Sequence, residues 1–213
     1  MNTLKQKALA VALVLGAGLS PLASAMPMVY NGAGGNVPPS GTSGLFSSTI
    51  SVADTGDITS VSVSLNNFTH SWIGDINATL EFDDGSASIP YLAVLFGAVG
   101  PGSSDDAGGT YTFATGGLDG FERNPSTTSF TIPSGTYAPT GTYSTLIGLS
   151  AAGSWTLNLS DDFSGDSGSL RSWTLNLGME EISPPPVSVP EPATLALFGL
   201  GLAGLGWSRR KKA

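Results

Sequence analysis

Ser154-Trp155-Thr156-Leu157-Asn158-Leu159 returns unchanged, 18 positions later, as Ser172-Trp173-Thr174-Leu175-Asn176-Leu177. On each copy Trp, Leu and Leu fall on one face of an extended chain and Thr and Asn on the other, the period of two that marks a half-buried strand. The 12 residues between the copies, Ser160 to Arg171, carry three aspartates, Asp161, Asp162 and Asp166. Two copies are too few for a solenoid, so the economical expectation is a hairpin or a pair of neighbouring strands. Outward from the repeat the same alternation appears in Ile58, Val61, Val63 and Leu65 against Ser60, Ser62 and Ser64. Further strands are expected over 45–52, 76–82, 89–96, 110–113 and 129–132. No sustained helical period interrupts them, and the fold class expected is all-β, with one domain over residues 45–182. Residues 26–44, with Tyr30-Asn31-Gly32-Ala33-Gly34-Gly35-Asn36, read as a flexible lead-in.

Composition narrows the function. Gly accounts for 29 of 213 residues, about twice the average usage of ~7%, as many short strands and turns require. Six of the eight basic residues lie at the ends, at Lys5, Lys7, Arg209, Arg210, Lys211 and Lys212. Between residues 26 and 190 only Arg123 and Arg171 stand against 15 acids, a net −13 with no lysine. Such a surface repels phosphate backbones and attracts divalent cations, so no nucleic-acid partner is expected. With no cysteine and one histidine, disulfides, thiol catalysis and Cys- or multi-His-based metal centres are excluded.

The two ends read as addresses. Residues 1–25 carry a basic start, an apolar run from Ala8 to Leu19 and Ala23-Ser24-Ala25. This is the order of a secretory signal peptide, cleaved by signal peptidase between Ala25 and Met26. At the other end the proline-rich linker 183–188 precedes Pro190-Glu191-Pro192, an uncharged stretch from Ala193 to Trp207 and a basic cluster. These three parts, residues 189–213, resemble a PEP-CTERM sorting signal. The resemblance implies a C-terminal sorting helix, transient membrane insertion through residues 193–207 and an exosortase-type processing enzyme as partner. Fifteen uncharged residues are short for a ~30 Å hydrocarbon core, and the basic cluster would stay cytoplasmic.

The repeat itself sits inside a larger resemblance. Gly153-Ser154-Trp155 through Asp161, then Gly165-Asp166-Ser167-Gly168 through Trp173, is similar to the closing segment of the proprotein convertase P-domain. Earlier blocks match in order: His70-Ser71-Trp72-Ile73-Gly74-Asp75, Pro133-Ser134-Gly135-Thr136-Tyr137-Ala138-Pro139 and Leu146-Ile147-Gly148-Leu149. The resemblance runs from about residue 45 to 178. It implies a jelly-roll-like antiparallel β-sandwich, found in that family beside a subtilisin-type protease and often holding calcium. Two departures stand out: no protease domain accompanies the match, and Ala114-Thr115-Gly116-Gly117 replaces an acidic run that the family often carries after its middle strand.

Calcium takes six to eight oxygen ligands, which carboxylates and carbonyls on turns supply. Asp75, Asp161, Asp166 and Asp162 are the metal candidates, with Asp119 behind them; the bland alternative is that they accept backbone N–H bonds in turns. The spacing is not that of an EF-hand. Gly102 to Gly109, with Asp105 and Asp106, reads as a solvated loop. Gly165-Asp166-Ser167-Gly168 matches the core of the chymotrypsin nucleophile motif, with His70 and Asp75 upstream, but the residues around each lack the context of that family. His70 reads as a structural turn residue near Trp72, and no catalytic residue is assigned. Asn67, Asn77 and Asn158 open N-x-Ser/Thr triplets that could carry sugar in a glycosylating host. The expectation is an exported, non-catalytic sandwich with a structural or adhesive role at the bacterial surface or in the extracellular polysaccharide matrix of a biofilm. A calcium-dependent carbohydrate-binding module is the alternative, and a serine protease is third.

Overall fold

The computed structural model describes residues 26–38, 43–86, 89–97, 104–121, 130–180 and 198–202. The signal segment 1–25, the linker 183–188 and the Pro190-Glu191-Pro192 motif lie outside them. Of the stretch 193–207, residues 198–202 are described and are helical. Among the described residues no helix is long and apolar enough to cross a membrane.

Among the described residues ten strands follow one another: β1 (Met26–Val37), β2 (Gly44–Val52), β3 (Asp57–His70), β4 (Ile76–Asp83), β5 (Tyr91–Phe96), β6 (Asp106–Leu118), β7 (Thr131–Ile132), β8 (Gly135–Tyr137), β9 (Gly153–Asp161) and β10 (Gly168–Glu180). They form two sheets, β1-β10-β3-β6 with β7 and β8 beside β6, and β2-β9-β4-β5. The chain passes repeatedly from one sheet to the other, as a jelly-roll-like sandwich requires. The pairings are antiparallel except those of β7 and β8 with β6, which are parallel. A parallel pairing needs a connection of about a dozen residues, and β7 begins that far along the sequence from the end of β6. The expected antiparallel sandwich is therefore mixed at this one edge.

Each sheet buries one alternating face. Val61, Val63, Leu65 and Phe68 of β3, Leu175 and Leu177 of β10, and Leu157 and Leu159 of β9 are all removed from solvent. The outward positions are short polar side chains that bridge neighbouring strands, such as Thr49 to Thr156 at 2.9 Å, Ser64 to Thr112 at 2.8 Å and Asn66 to Thr174 at 2.9 Å. Cross-strand pairs of this kind contribute a few tenths of a kcal/mol to about 1 kcal/mol each.

Three expectations need correction. The repeat is neither a hairpin nor a neighbouring pair: β9 lies between β2 and β4, β10 lies between β1 and β3, and the two copies bury their faces into the core from opposite sheets. The link shortens to 162–167, because Gly168 to Arg171 already belong to β10. Residues 26–37 are no flexible lead-in; β1 pairs with β10 from Met26↔Met179 to Val37↔Gly168. A side chain on Gly32 would collide with the Trp173 indole and one on Gly35 with the Phe46 ring, so the glycines admit the two aromatics beneath the strand. Finally, the stretch around Asp105 is not a solvated loop: Asp105 is fully buried and β6 begins at Asp106.

Candidate functional site

Two crossovers lie together at one end of the sandwich. Ser71 to Asp75, closing in a single 3₁₀ turn at Ile73–Asp75, carries the chain from β3 to β4. Residues 162–167 carry it from β9 to β10. Register brings them together, because His70 pairs with Gly168 in one sheet and Ile76 with Asp161 in the other. The Asp162 N–H donates to the Asp75 carbonyl at 3.0 Å and Ser71 Oγ donates to Asp166 Oδ1 at 2.8 Å. Asn77 Nδ2 donates to Asp162 Oδ2 at 2.6 Å.

His70 points inward because β3 changes parity. Val61, Val63 and Leu65 face the core at odd positions, whereas Phe68 and His70 do so at even ones. The register against β6 shifts between Leu65 and Phe68, and Asn67 takes a left-handed backbone with φ of 49° while its N–H donates to Thr110 Oγ1. Asn is one of the few residues that enters this region at low cost, and the added residue of a bulge re-aims the side chains beyond it. The bulge turns His70 toward the other sheet, where its Nε2 stands 3.3 Å from Asp161 Oδ2 with both side chains out of solvent.

The electrostatics of this end are one-sided. Asp75 is 6% exposed, and its carboxyl is raised above its ordinary 3.8 first by burial, then by the charges of Asp161 and Asp166, with His70 opposing and Asp162 adding. Asp161 Oδ1 accepts the Phe163 N–H at 3.0 Å, but its buried Oδ2 and the facing His70 Nε2 are not aligned as a hydrogen bond and have no other hydrogen-bond partner among the described residues. His70 Nδ1 lies 3.2 Å from the Trp72 nitrogen and 2.9 Å from the Trp72 oxygen. Nδ1 accepts the Trp72 N–H, which leaves Nε2 as the ring nitrogen that faces Asp161. Nδ1 is thus held by Trp72 while Nε2 is turned to Asp161 in the interior, and Ser167 lines a shallow recess with His70 and Ser71.

Asp75, Asp161, Asp162 and Asp166 therefore gather at one end as the loop reading anticipated, but they interact as neighbours and do not converge. Among the described residues, no three His, Asp or Glu side chains are grouped closely enough to hold a metal ion. Asp119 stands exposed beyond β6 and belongs to a different feature, a cleft of about 350 Å³ with Leu118, Phe121, Phe130, Ile132 and Tyr137. Sequence reasoning missed Ser71 as a partner and treated Asn77 only as a sugar acceptor, since a hydrogen bond to a residue 85 positions away leaves no local signal. Asn158 is engaged too, accepting from Ser47 and donating to Glu81. Asp105 was missed as a structural residue: its carbonyl accepts the Ile73 N–H at 2.8 Å and supports the turn that holds Asp75.

Comparison with known families matches two segments of the chain. Residues 125–177 match the proprotein convertase P-domain, and residues 188–211 match the PEP-CTERM protein-sorting motif. The chain carries a P-domain-like segment followed by a PEP-CTERM sorting motif. The P-domain match takes in β9, nearly all of β10 and the acidic link between them. The sorting motif marks the P-domain-like chain as exported, directed to the cell surface and processed by an exosortase-type enzyme. No curated protein matches the chain. Among solved structures, the Aeromonas sobria serine protease in complex with its chaperone is similar at 14% identity and a TM-score of 0.40, over 74% of this chain and 28% of that one. The infectious bursal disease virus Gx strain structure is similar at 14% identity and a TM-score of 0.26, over 80% of this chain and 42% of that one. The chain thus spans less than half the length of either.

Proposed function

We propose that the sandwich is a non-catalytic structural or adhesive component of the bacterial surface or of its extracellular polysaccharide matrix, stiffened by calcium at the acidic end. The observation that carries the calcium reading is the buried Asp161 Oδ2, without a hydrogen-bond donor, beside an Asp75 carboxyl raised by burial and by its neighbours. A cation relieves both, and carboxylates beside backbone carbonyls are the oxygen donors calcium takes. Because no three carboxylates converge, binding requires Asp162 and Asp166 to turn from Asn77 and Ser71 toward the ion. The non-catalytic reading is supported by His70, whose Nδ1 accepts the Trp72 N–H and whose Nε2 is turned into the interior toward Asp161.

An ion bound only by the folded form stabilises it by RT ln(1 + [Ca]/Kd), roughly 2.7 kcal/mol at a hundredfold excess over Kd. The melting temperature rises with millimolar calcium and falls with EDTA, while a sodium salt of matched ionic strength gives a smaller shift. Asp161→Asn and Asp166→Asn abolish the calcium-specific part, and Ser167→Ala leaves it intact. A wild-type melting curve indifferent to calcium would reduce the aspartates to turn residues. A second reading, carbohydrate binding, is favoured by the cleft that combines exposed Phe130 and Leu118 with Tyr137. A glycan array with and without EDTA separates the two, since a purely structural domain retains no glycan in either condition.

A further inference from the structure

Both chain ends leave the sandwich from the same pole. Met26 is paired with Met179, so residue 25 and residue 181 continue from neighbouring strands at one end. Asp57 pairs with Glu180 and bridges to Ser150 there, and Tyr30 Oη donates to Asp54 Oδ2 at 2.7 Å, which places the β2–β3 and β8–β9 connections at this exit pole. Val37↔Gly168 and Gly168↔His70 lie at the other end of the same strands, with the crossovers that carry Asp75, Asp161, Asp162 and Asp166. The 13 residues of β10 separate the poles by roughly 40 Å at ~3.3 Å per residue.

We propose that the domain stands on the membrane by its exit pole and presents the acidic crossover pole outward, toward whatever lies beyond the cell surface. The argument rests on chain length. Twelve residues, 181–192, five of them proline, connect β10 to the apolar stretch; as polyproline they would span roughly 37 Å at ~3.1 Å per residue, and at full extension about 40–43 Å. To bring the acidic pole to the bilayer, that linker would have to run taut along the whole of β10 with no length to spare, giving up nearly all its conformational freedom. With the N-terminal segment also attached at Met26 before processing, both tethers hold the same pole down. Charge does not decide the orientation, because Asp54, Asp57, Asp83, Asp84 and Glu180 make the exit pole acidic as well. The proposal deepens the surface-contact reading: exosortase-type processing happens at one pole, and contact with the surface polymer, where the calcium-responsive carboxylates lie, happens at the other.

The chain contains no cysteine, so single labelling positions are available. Full-length Thr55→Cys, in the exit-pole loop, and Ser164→Cys, in the acidic crossover, each carry a fluorophore and are reconstituted into phosphatidylcholine–phosphatidylglycerol vesicles doped with a headgroup quencher. Ala53→Cys and Ser167→Cys repeat the measurement should either first variant lose its strand circular dichroism. The exit-pole labels are expected to be quenched severalfold more than the crossover labels, and detergent should remove the difference. Equal quenching at the two poles, or the reverse order, overturns the proposal. So does a chain that fails to float with the vesicles, because then no tether holds the exit pole down. The calcium melt on the same labelled chains reports separately on the stiffening, so loss of orientation and loss of the calcium reading are told apart.

Discussion

β9 and β10 carry the same six residues and reach different neighbours. In β9 the Trp155 ring stacks on Phe82 at 4.2 Å between centroids, and its Nε1 donates to the Ala151 carbonyl four residues upstream. In β10 the Trp173 ring fills the space above Gly32, and its Nε1 donates to Ser48 Oγ, 125 residues away in the opposite sheet. One indole closes a local turn and the other ties the two sheets together. Identical sequence thus specifies the strand and the buried face, while the partner of each polar atom follows from the sheet in which the strand lands.

The largest test of that comparison treats the copies as equals. Both tryptophans are fully buried, so Trp155→Ala and Trp173→Ala should each cost ~3–5 kcal/mol in denaturant unfolding; a loss within ~0.5 kcal/mol of wild type would remove that copy from the core. Next comes the bulge that aims His70 at the end of β10. Asn67→Val forces a β-branched residue into a left-handed backbone and should lower stability by ~1–2 kcal/mol, whereas Asn67→Gly should be nearly neutral. Equal losses would mean that the bulge does not need this backbone.

A finer change separates the copies. Trp155→Phe leaves the carbonyl of fully buried Ala151 without its donor, while Trp173→Phe leaves a half-buried Ser48 hydroxyl that water can reach. The Trp155 variant should therefore lose roughly 1 kcal/mol more than its twin, and equal losses would mean that the two indole N–H bonds serve alike. The smallest effect is electrostatic and lies where the copies are joined. The folded-state pKa of Asp75 is raised above 3.8; its stabilising contribution is complete below that value and is lost as pH rises through the folded pKa. At neutral pH in EDTA the charged Asp75 weakens the fold, so Asp75→Asn should melt higher than wild type there, and the gap should close as pH falls toward 4. A variant that melts lower at pH 7 would show Asp75 already compensated by its surroundings.

Much of this was legible in the chain. Alternation located β2, β4, β9 and β10 to within a few residues, because a strand with one buried face must repeat with a period of two, whatever pairs with it. The grouping of Asp75, Asp161 and Asp166 was legible because each lies in a block of the P-domain resemblance, and that of Asp162 by adjacency to Asp161. β1 was not, because its inward positions include glycines whose place is taken by side chains from β10 and β2, and a missing side chain leaves no hydrophobic signal. Asp105 was not, because a carboxylate buried to hold a distant turn looks in sequence like any solvated aspartate.

The sequence by itself determined an exported acidic all-β chain, the inward face of most strands and the sorting motif at its C-terminal end, since composition, periodicity and a terminal signal act locally. Only the tertiary structure decided that the twin strands lie in opposite sheets, that His70 meets Asp161 and that both chain ends leave from one pole. Those facts depend on register between strands about 100 residues or more apart, such as β3 and β10, and register is set when two buried faces close on one core.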